Sequence, residues 1–366
     1  MSLSSFLNPH VAAIQPYEPG RPIEEVAREL GLAPETIIKL ASNESPLGAS
    51  PKAVTALRKH AEDVWLYPDG GAWVLRNALA DKYDLPFEQV AVGNGSNEIL
   101  ELVGHCFLNP QSSVVFSAHS FVVYKLVSVL FGAQQLEVPM RDGLELDLDG
   151  MLATIRDDTR VVFVCNPNNP TGTMRDAADI EAFVKAVPED VLVVVDEAYA
   201  EIALRPMPNT IPLIASHPNL LVTRTFSKAY GLAGLRLGYG LAQPELIKML
   251  QQARQPFNVN LPAQYAGTAA LEDESFVADV RQACEQGKVQ IEAGCREFGL
   301  SFIPGYANFM LIKVGDGAGI TRALQEKGVI VRPMGGYQLP DYIRVTFGTN
   351  AQNERFLSTL KEVLSL

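Results

Sequence analysis

The stretch Val191-Leu192-Val193-Val194-Val195-Asp196-Glu197-Ala198-Tyr199 decides the fold. Its five leading residues are all branched and apolar, which suits a strand buried on both faces of a helix-covered parallel sheet. The run ends on a carboxylate. Sheets of this kind bind ligands beyond the carboxyl ends of their strands, so Asp196 stands where chemistry is expected. Alone it reads more simply as a cap on the turn that follows.

Outward from this run, short apolar segments alternate with helical ones. Strands are expected at Val90–Val92, Ser113–Phe116, Gln135–Val138, Arg160–Cys165, Leu220–Thr223 and Leu235–Gly240. Helices are expected between them at Ser96–Leu108, Ser120–Phe131 and Asp176–Ala186, and before them at Pro51–His60 and Trp73–Lys82. Pro51 suits a first helical turn. This alternation indicates an α/β class, with a large domain built on a mainly parallel sheet flanked by helices. The register changes after Pro244. A helix over Pro244–Gln255 is followed by interruptions at Pro256 and Pro262, then by a long helix over Ser275–Phe298 that Gly299 ends. Phe276, Val280, Ala283, Gly287, Ile291, Gly294 and Phe298 give that helix one buried stripe. Strand Phe309–Val314, helix Ile320–Lys327, strands Val329–Arg332 and Tyr342–Phe347, and helix Asn353–Leu364 make a smaller α+β domain. Pro9, Pro16, Pro19 and Pro22 forbid one continuous helix at the start, so an arm with a short helix over Ile23–Leu30 is expected there. The expected division is an arm at 1–45 packing on the small domain or a partner subunit, a large domain at 46–258 and a small domain at 259–366.

The chain has 366 residues, 47% of them hydrophobic and 20% charged, which is ordinary globular usage. A net charge of −12 argues against a nucleic-acid surface, which needs a basic stripe. Cys106, Cys165, Cys284 and Cys295 form no CxxC pair and read as reduced residues of a cytoplasmic protein. The histidines show no metal-ligand spacing, so no metal is expected. Neither a signal peptide nor a membrane span is expected.

The second informative run is Thr225-Phe226-Ser227-Lys228-Ala229-Tyr230-Gly231-Leu232-Ala233-Gly234-Leu235-Arg236. Two hydroxyls and an arginine can hold a phosphate dianion, and a buried lysine near cations has a depressed pKa suited to Schiff-base chemistry. With Asp196 and Tyr199 upstream, the set is what pyridoxal 5'-phosphate (PLP) requires: an amine, a carboxylate for the pyridinium nitrogen and donors for the phosphate. Gly93-Asn94-Gly95-Ser96-Asn97-Glu98 follows a strand and opens a helix. It reads either as a phosphate-binding helix start or as a plain capped helix. Glu98 stands where a dinucleotide fingerprint needs glycine. Asn166-Pro167-Asn168-Asn169-Pro170-Thr171-Gly172 reads as a rigid loop offering Asn169 at the sheet edge.

Together with Lys39–Gly48, Tyr67–Gly70 and Val331–Pro333, these segments resemble the fold-type-I PLP-dependent aminotransferases, the aspartate-aminotransferase superfamily, and within it the branch acting on histidinol phosphate. The resemblance covers nearly the whole chain. It implies that Lys228 forms the Schiff base, that Asp196 pairs with the pyridinium nitrogen, and that Tyr199 and Asn169 contact the ring hydroxyl oxygen. It implies a phosphate site made by Gly95, Ser96, Thr225, Ser227 and Arg236, and a ring stacked on Phe121. Tyr67 would reach the phosphate of a neighbouring subunit's cofactor, which implies a homodimer with shared active sites. Arg344 would bind the substrate carboxylate beside Arg332, with Asn43 and Tyr17 also at the substrate. The implied partners are a small amino donor and a 2-oxo acid acceptor, with an amino group exchanged between histidinol phosphate and 2-oxoglutarate in histidine biosynthesis. An aromatic or broad-range aminotransferase and a PLP lyase such as threonine-phosphate decarboxylase are the rival readings. The chain departs from the branch at Asn97, where many relatives carry Asp, at Ala118-His119, where proline is more usual, and at Phe121, where Tyr is commoner.

Overall fold

The computed structural model describes residues 3–12, 14 and 20–365. Among them, β1 (Ile38–Lys39) lies in the arm segment, and seven strands form the central sheet: β2 (Val90–Asn94), β3 (Ser113–Ser117), β4 (Gln134–Val138), β5 (Thr159–Cys165), β6 (Leu192–Asp196), β7 (Leu220–Thr225) and β8 (Leu237–Leu241). Their order is β2-β8-β7-β6-β5-β3-β4. The five strands from β7 to β4 run parallel, and β8 is antiparallel to both its neighbours. The expected mainly parallel sheet is thus present, with each strand within two residues of its expected start.

Alternation along the strands divides the core. Leu192 and Val194 point to the face covered by helices Ser96–Phe107, Val122–Leu130 and Pro244–Ala253. Val193 and Val195 point to the other face, with Leu75, Leu79, Ile180 and Phe183 from helices Trp73–Tyr83 and Ala177–Ala186. This two-sided burial is why the strands read as unbroken apolar runs.

A second sheet carries β9 (Phe302–Ile303), β10 (Phe309–Lys313), β12 (Arg332–Pro333) and β13 (Tyr342–Thr346) in the order β12-β13-β10-β9, all antiparallel. The expected single strand Val329–Arg332 is two strands. Its first half, β11 (Val329–Ile330), pairs in parallel with β1, and its second half pairs with β13. The chain therefore changes sheets at Val331. Helix Ile23–Leu30 lies where expected and buries Val26 and Ala27 with Ile37, Ala41 and Ile330.

Pro262 does not interrupt a helix; it starts one. Leu261–Leu271 is capped by Asn260, whose Oδ1 accepts from the Ala263 amide at 2.9 Å, with proline in the first turn where its missing N–H costs nothing. It packs against helices Pro51–Lys59 and Trp73–Tyr83, although it follows the expected division at 258. The long helix Glu274–Glu297 buries Phe276, Val280, Gly287, Ile291 and Gly294 as expected; Cys284 and Cys295 are buried too, while Ala283 and Phe298, the residue just past the helix, are half-buried. Replacement Asn260→Ala removes the cap and should cost about 1 kcal/mol, read as a lower urea midpoint with unchanged slope.

Candidate active site

The carboxyl ends of β5, β6 and β7 open into a cleft of about 260 Å³, lined by Ser96, Phe121, Asn169, Asp196, Tyr199, Thr225, Ser227, Lys228 and Arg236 among others. That volume lies just below the usual range for sites that hold drug-sized ligands. The sequence stretches around Gly93, Asn166, Asp196 and Lys228 thus converge on one place.

Asp196 is the last residue of β6 and only 2% exposed. Burial pushes its carboxyl up to about 6, against the opposing pull of three donors, the Tyr124 and Thr223 hydroxyls and the Ala198 amide. Tyr124 Oη donates to Oδ2 at 2.8 Å and Thr223 Oγ1 to Oδ1 at 3.2 Å. Thr223 is the cross-strand partner of Asp196 on β7. Tyr124 was not anticipated. It comes from helix Val122–Leu130, is fully buried, and stacks on Phe163 with ring centroids 4.6 Å apart. Phe121, immediately before that helix, meets Tyr124 edge-on at 5.8 Å and lines the cleft.

Lys228 lies in the turn after β7, where its Nζ donates to the Ser42 carbonyl at 3.2 Å and stands 5.8 Å from the Tyr199 ring centroid. Burial, aided by the Arg344 charge, brings this amine down to about 8. Near neutrality a useful fraction is therefore the nucleophilic free base. Gly231, three residues on, has φ +67°, and a side chain there would run into the Gly48 carbonyl. This contact holds the lysine's turn against the Ser42–Gly48 segment.

The other side of the cleft is a cradle of donors. Helix Ser96–Phe107 begins directly after β2 and Gly95. Its first amides are unpaired within the helix and carry the positive end of its dipole. The approach depends on Gly238 of β8, where a Cβ would collide with the Ser96 backbone nitrogen. Thr225 Oγ1 donates to Ser227 Oγ at 3.0 Å and accepts from the Ser227 amide at 3.1 Å. Arg236 adopts the left-handed φ of +55°, and its carbonyl accepts from the Gly95 amide at 3.0 Å. Such backbone strain in a non-glycine residue is typical of ligand clamps.

Asn169 joins this cleft to the second sheet. Its Oδ1 accepts from Arg344 Nη1 at 2.6 Å, while Arg344 Nη2 donates to the Ala41 carbonyl at 2.9 Å. Arg332 and Arg344 are cross-strand partners on β12 and β13, so two guanidinium side chains start from facing positions. Asn43 has φ +55° and is fully buried; its Nδ2 donates to Tyr199 Oη at 2.9 Å, and Thr346 Oγ1 donates to its Oδ1 at 3.2 Å. Burial raises the Tyr199 phenol above its ordinary value. Cys165, read from sequence only as a reduced thiol, also lines the cleft as the β5 partner of Asp196. Tyr67 lies apart from these groups, 82% exposed, its ring 4.9 Å from Phe257. Tyr17 lies outside the described residues.

These groups fit the cofactor expected from the sequence. A buried amine, a buried carboxylate and an aromatic side chain flank one volume, and a helix start, two hydroxyls and a guanidinium line the same cleft, a donor set that suits a phosphate.

The family of class I and II aminotransferases matches residues 35–360. The chain is 50% identical to a histidinol-phosphate aminotransferase of Akkermansia muciniphila over 364 residues, covering 100% of both chains. It is also 50% identical to histidinol-phosphate aminotransferase 2 of Pseudomonas fluorescens over 359 residues, covering 98% of this chain and 97% of that one. The crystal structure of histidinol-phosphate aminotransferase from Sinorhizobium meliloti in complex with pyridoxal-5'-phosphate superposes with a TM-score of 0.91 at 30% identity, covering 100% of this chain and 99% of that one. The chain belongs to the class I and II aminotransferases and, within them, to the histidinol-phosphate aminotransferase family.

Proposed function

We propose that the cleft holds PLP and that the protein exchanges an amino group between histidinol phosphate and 2-oxoglutarate, giving imidazole-acetol phosphate and glutamate. The observation that carries this reading is the convergence of Lys228, Asp196 and the Ser96/Ser227/Arg236 cradle in one cleft of a chain from this family. Bound there, PLP supplies an aldehyde to take the amino group and a ring to take the electron pair released at the substrate Cα. Asp196 keeps the ring nitrogen protonated, held in place by Tyr124 and Thr223. Tyr199 and Asn169 read the ring hydroxyl oxygen, and Phe121 stacks on the ring. Gly95, Ser96, Thr225, Ser227 and Arg236 hold the phosphate. The Lys228 amine, freed when the donor takes its place, would move a proton from the substrate Cα to the cofactor C4′ in the first half of the cycle and in the reverse direction in the second.

Arg344 binds the anionic end of both substrates, with Arg332 beside it. Like charges directly opposite one another across a sheet are unfavourable, and a doubly charged phosphate relieves that repulsion better than a carboxylate does. Asn43 steadies Tyr199 at the substrate side. Tyr17 would close over the substrate. A homodimer fits the exposure of Trp65, Tyr67, Trp73, Val74 and Phe257, of which Tyr67 and Phe257 pack together; Tyr67 would then reach the neighbouring cofactor phosphate. We read residues 46–258 as the cofactor-binding unit, joined by helix Leu261–Leu271, with the remainder of 259–366 as the smaller unit and 1–45 as the arm. A cytoplasmic location agrees with four free thiols, and among the described residues no helix is long and apolar enough to cross a membrane.

Histidinol phosphate added to the purified holoenzyme should bleach its visible cofactor absorbance, with 2-oxoglutarate restoring it. Bleaching by phenylalanine but not by histidinol phosphate would instead make it an aromatic aminotransferase. Uptake of PLP by the apoprotein needs the neutral Lys228 amine. Its rate should climb about tenfold per pH unit below pH 8 and level off above it, following the amine's value of about 8; Lys228→Ala should abolish the slope. Replacement Arg332→Ala should lower kcat/KM for histidinol phosphate by ~10-fold or more and for glutamate by less. Equal losses would refute the division of labour between the two arginines.

A further inference from the structure

Side chains at the ends of β6 and β7 alternate across the sheet. Asp196 and Thr225 line the cleft, with Thr223 bonded to Asp196. Glu197 and Arg224 go to the opposite face, where they meet a buried polar group that the proposed reaction does not use. Arg224 donates from Nε and Nη2 to Glu197 Oε2 at 2.9 and 2.7 Å. Its Nη1 reaches Tyr83 Oη at 3.2 Å and Glu201 Oε1 at 3.4 Å. The Thr210 hydroxyl donates to Glu197 Oε1. Tyr239, the β8 partner of Arg224, shares a 2.6 Å hydrogen bond with Tyr83 and donates to Glu201 at 3.4 Å. The side chains of Glu197 and Arg224 are only 1% and 13% exposed.

We propose that Arg224 is a positioning residue: its clamp on Glu197 locks the ends of β6 and β7 together and thereby sets where Asp196 and Lys228 meet the cofactor. The inference rests on those two residues serving the cofactor as proposed above. Arg224 stands between Thr223, which holds Asp196, and Thr225, which begins the phosphate cradle, and Lys228 follows four residues later. Glu197 follows Asp196, and its amide donates to the Thr223 carbonyl at 2.8 Å. A slip of one residue between the strands would exchange the two faces and withdraw every cleft group at once. A guanidinium gripping a carboxylate on the back face opposes that slip directly, because its planar fork fixes direction as well as distance.

Charge points the same way. Glu197, Glu201, Tyr83, Tyr239, Tyr230 and Lys82 surround Arg224 or its partners. Glu197 adds to the burial that raises the Asp196 carboxyl, and Arg224 places the opposite charge beside it. Burial also raises Glu201, with Arg224 opposing.

The test uses the holoenzyme and three variants. Replacement Arg224→Met strands a buried carboxylate and should lower thermal stability. The double replacement Arg224→Met with Glu197→Gln removes both charges and should restore that stability. If the pair positions the cofactor groups, the double variant should still bind PLP ~10-fold or more weakly, and its pH midpoint for cofactor absorbance should move by about half a unit or more. Tyr83→Phe, which removes one bond to Arg224, should shift the midpoint the same way by less. Wild-type affinity and midpoint in the double variant would reduce the pair to packing and overturn the proposal. A wild-type chain that takes up no PLP would overturn the site reading beneath it.

Discussion

Two ionisable groups held away from water in one cleft set the terms for the rest of the molecule. Burial works against the charge on Asp196 and against the charge on Lys228, raising one to about 6 and lowering the other to about 8. Neither position would be tolerated without compensation. The carboxylate receives it from Tyr124 and Thr223, and the amine from the Ser42 carbonyl. The sheet supplies the geometry. Its parallel strands end together, so groups far apart in sequence emerge side by side at one edge.

Much of this is legible in the sequence because the sheet is buried on both faces. Apolar runs such as Val191–Val195 and Arg160–Cys165 mark strands to within a residue or two. The turn after β7 is likewise readable, since its hydroxyls, lysine, glycines and arginine lie within twelve residues of chain. Tyr124 is not readable: its hydroxyl meets a carboxylate 72 positions away, and locally it is one more apolar helix residue. The Arg224–Glu197 clamp is hidden for the same reason, because a lone Arg between two Thr reads as a strand's solvent face. Pro262 misled because proline both breaks and begins helices, and only Asn260 before it distinguishes the two cases. The change of sheet at Val331 depends on which neighbour each half of an apolar segment finds.

The site draws on both sheets, and the contacts between them are polar and specific. Asn43 bonds with Tyr199 and Thr346, and its carbonyl accepts from Asn308 at 3.0 Å. The Gly172 carbonyl accepts from the Tyr306 amide at 2.8 Å. These bonds set the loop bearing Asn169 against the sheet bearing Arg344.

The Arg344 guanidinium is already held on two sides, by Asn169 and by the Ala41 carbonyl, and lies 5.1 Å from the Phe309 ring centroid. A long side chain that arrives at binding with its torsions fixed has surrendered its freedom during folding rather than at capture. In the substrate-binding role proposed for Arg344, anions competing for it would differ little in the ordering they impose on the protein. They would be ranked mainly by the hydration each must shed, which would make a weakly hydrated oxyanion in the buffer a stronger competitor than its charge alone suggests.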